Sequence, residues 1–265
     1  MTAEFQNVLW GYALDIPDGW THQALQGADA FAALPEALDA SYQGPQAGHL
    51  LVRGEWNCAR QPIEPFWTRH IGMLASMMGA REVGSAPWQM GGAAGFEAEI
   101  VLPKRENKRL WTGILSHGFL VLKFMVLHPK EARHFFEPHA TRIISSLRFP
   151  DAIPGLPTTA DGLPIPPEYS PAAPSQIVAD IQDPEHWQAY EGQAETGALQ
   201  AFYLREAPNY SWKIEEFVPF PSENNPGFAR FLLSKGGRSL VLGIMPSGEA
   251  QVSASSPGNL VIKRV

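Results

Sequence analysis

Glu97 and Glu99 alternate within the run Gly95–Leu102 and so share one face of an expected strand. Two residues' rise separates them by about 7 Å, a distance that overlaps the acid–base pairs of glycoside hydrolysis. A hydrolase built on Glu97 and Glu99 is therefore one candidate chemistry. Working pairs, however, usually flank a cleft from different elements, and two carboxylates on one strand read first as a solvated face. Four histidines, His117, His128, His134 and His139, crowd one short region and offer imidazole chemistry or metal ligation. Ligands on one helical face need separations of three or four residues. His134 and His139 are five apart and flank Pro138, so they read as surface and helix-end residues.

The remaining candidates have similarly plain readings. Gly91-Gly92-Ala93-Ala94-Gly95 could cradle a phosphate, but a cradle joins a strand to a helix N-terminus and strand-like alternation follows here, so a hairpin turn is expected. The basic tip KRENKR, Lys104–Arg109, reads as a solubilising, edge-protecting turn rather than an anion site. Lys123 interrupts an apolar run and is expected to pair with Glu97 or Glu99 or to reach a sheet edge. Cys58 reads as a spectator thiol. Trp67, Met73, Met77 and Met78 could line a pliable pocket, although core packing of one helix accounts for most of them. GxSxG, GxGxxG, Walker and HExxH motifs are absent from the sequence. No catalytic residue, no metal and no cofactor is assigned, and the protein is expected not to be an enzyme.

A chain of 265 residues suffices for two modest domains without staples. The net charge of -7 disfavours a polyanion, since phosphate neutralisation needs clustered Lys and Arg, and nucleic acid is not expected as a partner. The single cysteine excludes an intramolecular disulfide and fits a reducing compartment. No stretch approaches the roughly 20 apolar residues of a membrane span, and the N-terminal sequence lacks a basic segment and apolar core. A cytoplasmic protein without a membrane role is expected.

The scaffold is organised around Phe119–Leu127, apolar except for Lys123 and bounded by Gly118 and Pro129; both faces should be covered, making it a central strand. Before it, Trp10, Tyr12, Leu14 and Ile16 alternate up to a turn at Pro17-Asp18-Gly19, and His49–Trp56 has strand character. Phe31–Leu34 is read as a short strand and Pro35–Ala40 as a helical turn. Pro62–Met78 carries Ile63, Phe66, Trp67, Ile71, Leu74, Met77 and Met78 at helical spacing, with Gly79 placed to end it. Strands at Trp88–Met90, Gly95–Leu102 and Arg109–Ser116 complete an antiparallel meander. A second helix follows Pro129, with Pro138 near its start. One helix on each face would roof the sheet.

Residues 150–174 hold eight prolines and lose all periodicity, so they are read as an extended, semi-rigid linker. Beyond it, a helix over Gly197–Glu206 and strands at Trp212–Val218, Phe228–Ser234, Ser239–Met245 and Leu260–Val265 suggest a small module of about four strands. The fold class is α+β, with domains at 1–149 and 175–265.

Two resemblances follow from these segments. YALDIPDGW, GFEAEIV and the ending LVLKFMVLHP with FEPHATRIISSLRF make residues 5 to 149 resemble the PsbP-like α/β/α sandwich. That resemblance implies a protein that acts by binding other proteins, in some members as a chaperone for secreted effectors, with no universal active-site residues to carry over. LQAFYLREAPNYSWKIEEF with FARFLLSKGGRSLVLGIM makes residues 183 to 265 similar to a small bacterial helix-plus-meander module of no established activity. Asn209-Tyr210-Ser211 stands where that module would carry a glycine. The function expected is protein binding, as an adaptor; the alternatives are a chaperone or carrier shielding an apolar segment, and the hydrolase using Glu97 and Glu99 or the histidines.

Overall fold

The apolar run predicted to be central becomes the fourth of seven strands in an antiparallel sheet, with Val121, Leu122 and Phe124 fully buried. The computed structural model describes all residues except Met1, Gln26, Ala40, Gln43, Pro45, Asp180, 223–226 and 248–252. It divides into two units, one of Met1–Gln6 and Tyr12–Phe149, the other of Asn7–Gly11 and Pro150–Val265.

In the first unit, β1 (Thr2–Asn7) and β2 (Tyr12–Pro17) form a two-stranded sheet. The large sheet is built from β3 (Thr21–Leu25), β4 (Ala28–Ala32), β5 (His49–Trp56), β6 (Arg81–Met90), β7 (Ala93–Val101), β8 (Lys108–His117) and β9 (Leu120–Pro129). Their spatial order is β3-β4-β5-β9-β8-β7-β6. The strand expected at Phe31–Leu34 lies earlier, as β4, and the helical turn is a short 3-10 segment over Pro35–Leu38; Ala40 falls outside the described residues. β6 is also longer than its predicted Trp88–Met90 core. A register shift between Glu82 and Ser85, with Gly84 at φ +151, breaks the alternation that would have revealed the rest.

Two helices cover the sheet. α1 (Ile63–Met78) carries Glu64 in its first turn, where the N-terminal partial charge favours an acid. It ends on Gly79, left-handed at φ +64, whose N–H bonds the Ala75 carbonyl at 3.0 Å. Phe66, Trp67 and Leu74 pack on Ile100, Leu110, Ile114 and Val121, and Met78 joins their rim. Met73 and Met77, by contrast, are exposed and contribute nothing to that core. α2 (Arg133–Ser145) follows a 3-10 turn over Lys130–Ala132. Pro138 lies inside α2 rather than near its start, and the helix continues past it with one N–H donor missing. On β9 the residues that meet α1, Val121 and Leu127, have odd numbers, whereas His128, beside Phe136 of α2, has an even one. Alternation therefore puts the two helices on opposite faces.

β6 and β7 are joined by Gly91 and Gly92, both at positive φ, as the hairpin reading required. At Gly91 a side chain would also collide with α2's exit, since a Cβ there would lie 2.7 Å from the Leu147 carbonyl oxygen.

The second unit corrects the linker. Residues 150–174 are folded into it: Leu163 and Ile165 belong to the core that contains Phe202, Trp212 and Phe231, and Ile153 is buried. Prolines remove donors and so hide such a segment from periodicity, but its remaining amides bond locally. Thr159 N–H reaches the Leu163 carbonyl at 2.9 Å, Ile165 N–H reaches Pro157 at 2.8 Å, and the Trp212 indole donates to the Gly162 carbonyl at 3.1 Å.

Its sheet has six strands rather than four, because two short ones escaped the sequence reading. β10 (Ser170–Ala172) and β11 (Trp187–Glu191) pair at one side, with the short helix α3 (Pro174–Ile177) between them in sequence. α4 (Thr196–Asn209), β12 (Lys213–Val218), β13 (Ala229–Lys235), β14 (Arg238–Pro246) and β15 (Gly258–Arg264) follow in the predicted places. The strand order is β10-β11-β15-β14-β13-β12. Where a glycine was expected, Ser211 itself adopts the left-handed conformation at φ +64, and Trp212 N–H closes on the Ala207 carbonyl at 3.0 Å. In the same unit Arg205 donates to the Val8 carbonyl and, at 2.6 Å, to Glu206.

Candidate functional site

Alternation on the four strands β6 to β9 decides which side chains α2 leaves uncovered. Directly paired residues share a face. Glu99 faces Trp111, Trp111 faces Val126, and Arg109 faces His128. These residues form one wall of a cleft of about 790 Å3; Glu137, Ala140, Thr141 and Ile144 of α2 form the other. Such a volume is typical of ligand sites.

The cleft has a polar end and an apolar end. Arg81 opens β6, Lys108 and Arg109 open β8, and Lys130 follows β9, so strand direction gathers four cations at one end. Towards the other lie Trp88 and Met90 of β6. Trp88 meets Trp111 edge-on at 5.4 Å and Phe124 at 5.4 Å. Gly113 permits this packing: a Cβ there would stand 2.6 Å from Trp88 and 2.8 Å from Trp111. Val83 and Val101, which line the cleft beside Arg81, are 64% and 49% exposed.

Both predicted carboxylates face this cleft, but they are not alike. Glu97 is half-buried and accepts the Trp111 indole N–H at 3.1 Å, while Glu99 is exposed. The Glu97 carboxylate thus orients the aromatic wall. Of the four histidines only His128 lines the cleft, buried between the Pro129 carbonyl, 2.7 Å from Nδ1, and Glu137, 3.3 Å from Nε2. Glu137 is bonded also to Arg133 at 2.9 Å. His117 stacks on Phe149 at 4.0 Å and burial pushes its pKa down; His134 is exposed on α2; His139 Nδ1 lies 2.7 Å from the Phe135 carbonyl. The histidines do not converge. Among the described residues no group of three or more His, Cys, Asp and Glu is arranged to hold a metal, and no helix is long and apolar enough to cross a membrane.

Lys123 does not meet Glu97 or Glu99. It is paired with Ile114, which in turn faces Phe96, so it points to the α1 side of the sheet, away from both glutamates. There its ammonium pairs with Glu55, whose other oxygen takes Arg69. Beside them His70 Nε2 lies 2.7 Å from Thr112 Oγ1, and Thr112 donates to the Phe124 carbonyl at 2.7 Å. Burial, reinforced by the Lys123 charge, pulls the His70 pKa down to about 4.

The aromatic wall, Gly113 and Arg81 escaped the sequence reading. A glycine within a strand marks a close approach, and Gly113 between Trp111 and Ile114 was that signal.

No protein-family model matches the chain, and no curated protein matches it. Among solved structures it is similar to a cyanobacterial PsbP from Synechocystis sp. PCC 6803, at 10% identity over 56% of this chain and 92% of that one, with a TM-score of 0.45. It is similar to LpqN, involved in cell envelope biogenesis of Mycobacterium tuberculosis, at 11% identity over 56% of this chain and 86% of that one, TM-score 0.41. A protein of unknown function from Pseudomonas aeruginosa, described as a putative regulator, matches at 14% identity over 59% of this chain and 99% of that one, TM-score 0.37. The first of these is the PsbP likeness expected from the sequence; none lends its function to this chain.

Proposed function

We propose that the protein is a non-catalytic binding protein whose first unit holds a segment of another protein in the cleft between α2 and β6–β9. One observation carries the reading: a groove with an aromatic wall and exposed Val83 and Val101 in its lining, in which Glu97 and Glu137 are already engaged by neighbouring side chains. Carboxylates held this way orient the groove rather than move protons. A cytoplasmic setting belongs to the same proposal and rests on the lone thiol of Cys58; subcellular fractionation checks it.

Thr141 is exposed on the cleft wall and offers a direct test. A benzophenone side chain introduced at 141 should, on illumination in the native host, capture a defined polypeptide that the same group at exposed Ser76 of α1 does not. Identical adducts from both positions, or none from 141, would sink the proposal.

A further inference from the structure

The basic tip dismissed as a solubilising turn closes one end of this cleft. Backbone bonds hold it there: Arg105 N–H to the Leu102 carbonyl at 2.9 Å, Lys108 N–H to Arg105 at 2.9 Å, and Lys130 N–H to Asn107 at 2.8 Å. The last bond ties the turn to the chain leaving β9, so Lys130 joins Lys108, Arg109 and Arg81 around one end. Burial and the Arg105 charge push the Lys108 pKa down, the response of an ammonium crowded by its own sign.

Four carboxylates line the cleft with these four cations, and they differ in freedom. Of the four lining carboxylates, Glu97 is bonded to Trp111 and Glu137 to Arg133, leaving Glu99 and Glu106. The side chains of Arg81, Arg109 and Lys130 make no ion pair among the described residues. From the Arg109 row to the Trp88–Trp111 contact over Gly113 is about four residues of strand, roughly 13 Å.

We propose, resting on the reading of this cleft as a protein-binding site, that its occupant is an acidic extended segment whose carboxylates meet Arg81, Arg109 and Lys130. An aromatic or long aliphatic side chain about four residues away lies against Trp88 and Trp111. A polypeptide suits the groove better than an acyl chain does. Exposed Glu99 stands along the path, and an acyl chain would desolvate it without a donor, whereas a peptide backbone supplies N–H groups.

The test is panning of random phage-displayed dodecapeptides on the full chain, followed by affinity measurement of the enriched peptides by fluorescence anisotropy. Enriched peptides should combine Asp and Glu with a nearby Phe, Trp or Leu. R109Q/K130Q should weaken them on the order of ten-fold, E99Q should tighten them, and T141W, which fills the groove, should abolish binding. The two charge variants move affinity in opposite directions, so a general loss of folding cannot imitate the result. Peptides that depend on the groove but show no acidic bias, or that ignore both charge changes, overturn this assignment and leave the protein-binding reading standing. Absence of any peptide lost in T141W overturns both. Displacement of the peptides by laurate, bound more tightly than they are, assigns the groove to lipids and overturns both as well.

Discussion

The two faces of the large sheet treat their charged and polar groups in opposite ways. On the α1 side Lys123, Glu55 and Arg69 satisfy one another, and His70 is bonded to Thr112 beneath the helix. On the α2 side Arg81, Arg109 and Lys130 stand around a groove with no partner of their own among the described residues. The same strands supply both sets, since one residue's step reverses a side chain. A face that closes on itself stabilises the fold; a face that stops short presents chemistry to something else. The binding role proposed for the α2 side rests on that contrast rather than on any single residue.

Substitutions on the closed face should be felt in stability, and the largest effect is expected at Ile114, fully buried under α1. Ile114→Ala should lose about 2–5 kcal/mol in urea denaturation; a loss as small as that of a groove substitution would erase the contrast.

Acid should act on the same face. His70 titrates near 4 in the folded chain, below its ordinary 6.5, so between these values the unfolded chain takes up a proton that the folded one refuses. Stability is then unaffected above pH 6.5 and falls as pH drops towards 4, by about 3 kcal/mol from this residue. His70→Leu should flatten that part of the pH–stability curve, and Thr112 keeps its bond to Phe124.

A smaller change is expected at the ion pair. Glu55→Leu strands a Lys123 side chain that is only 15% exposed and should cost about 2 kcal/mol, with Lys123→Met in the same chain recovering most of it. The smallest belongs to the open face. Trp111→Phe removes the indole bond to half-buried Glu97, where water can take its place, and should cost under about 1 kcal/mol while weakening whatever the groove binds. Equal losses for the Glu55 and Trp111 variants would show that the faces do not differ.

Sequence alone displayed the scaffold where burial is regular. Phe119–Leu127 was apolar on both sides and is central; the stripe of Pro62–Met78 and its Gly79 stop became α1. It failed where local chemistry conceals the pattern. Gly84 and Pro87 disguised β6 as a loop, and prolines disguised residues 150–174, whose Leu163 and Ile165 are core. Lys123 was given the wrong partners because the face it occupies depends on how β9, β8 and β7 line up, which spacing within one strand does not encode. For the same reason the glutamates were visible but the groove was not: its walls come from four strands and a helix brought together only by tertiary packing.

Gly91 and the turn at 103–107 lie at opposite ends of β7, and they differ in how freely they can change. At position 91 any side chain would strike the Leu147 carbonyl, so that end is closed to variation. The exposed turn at the other end can lengthen or exchange residues at little cost to the sheet behind it. On the proposed binding role, relatives built on this scaffold should therefore vary at the basic end and keep the aromatic end as a common anchor.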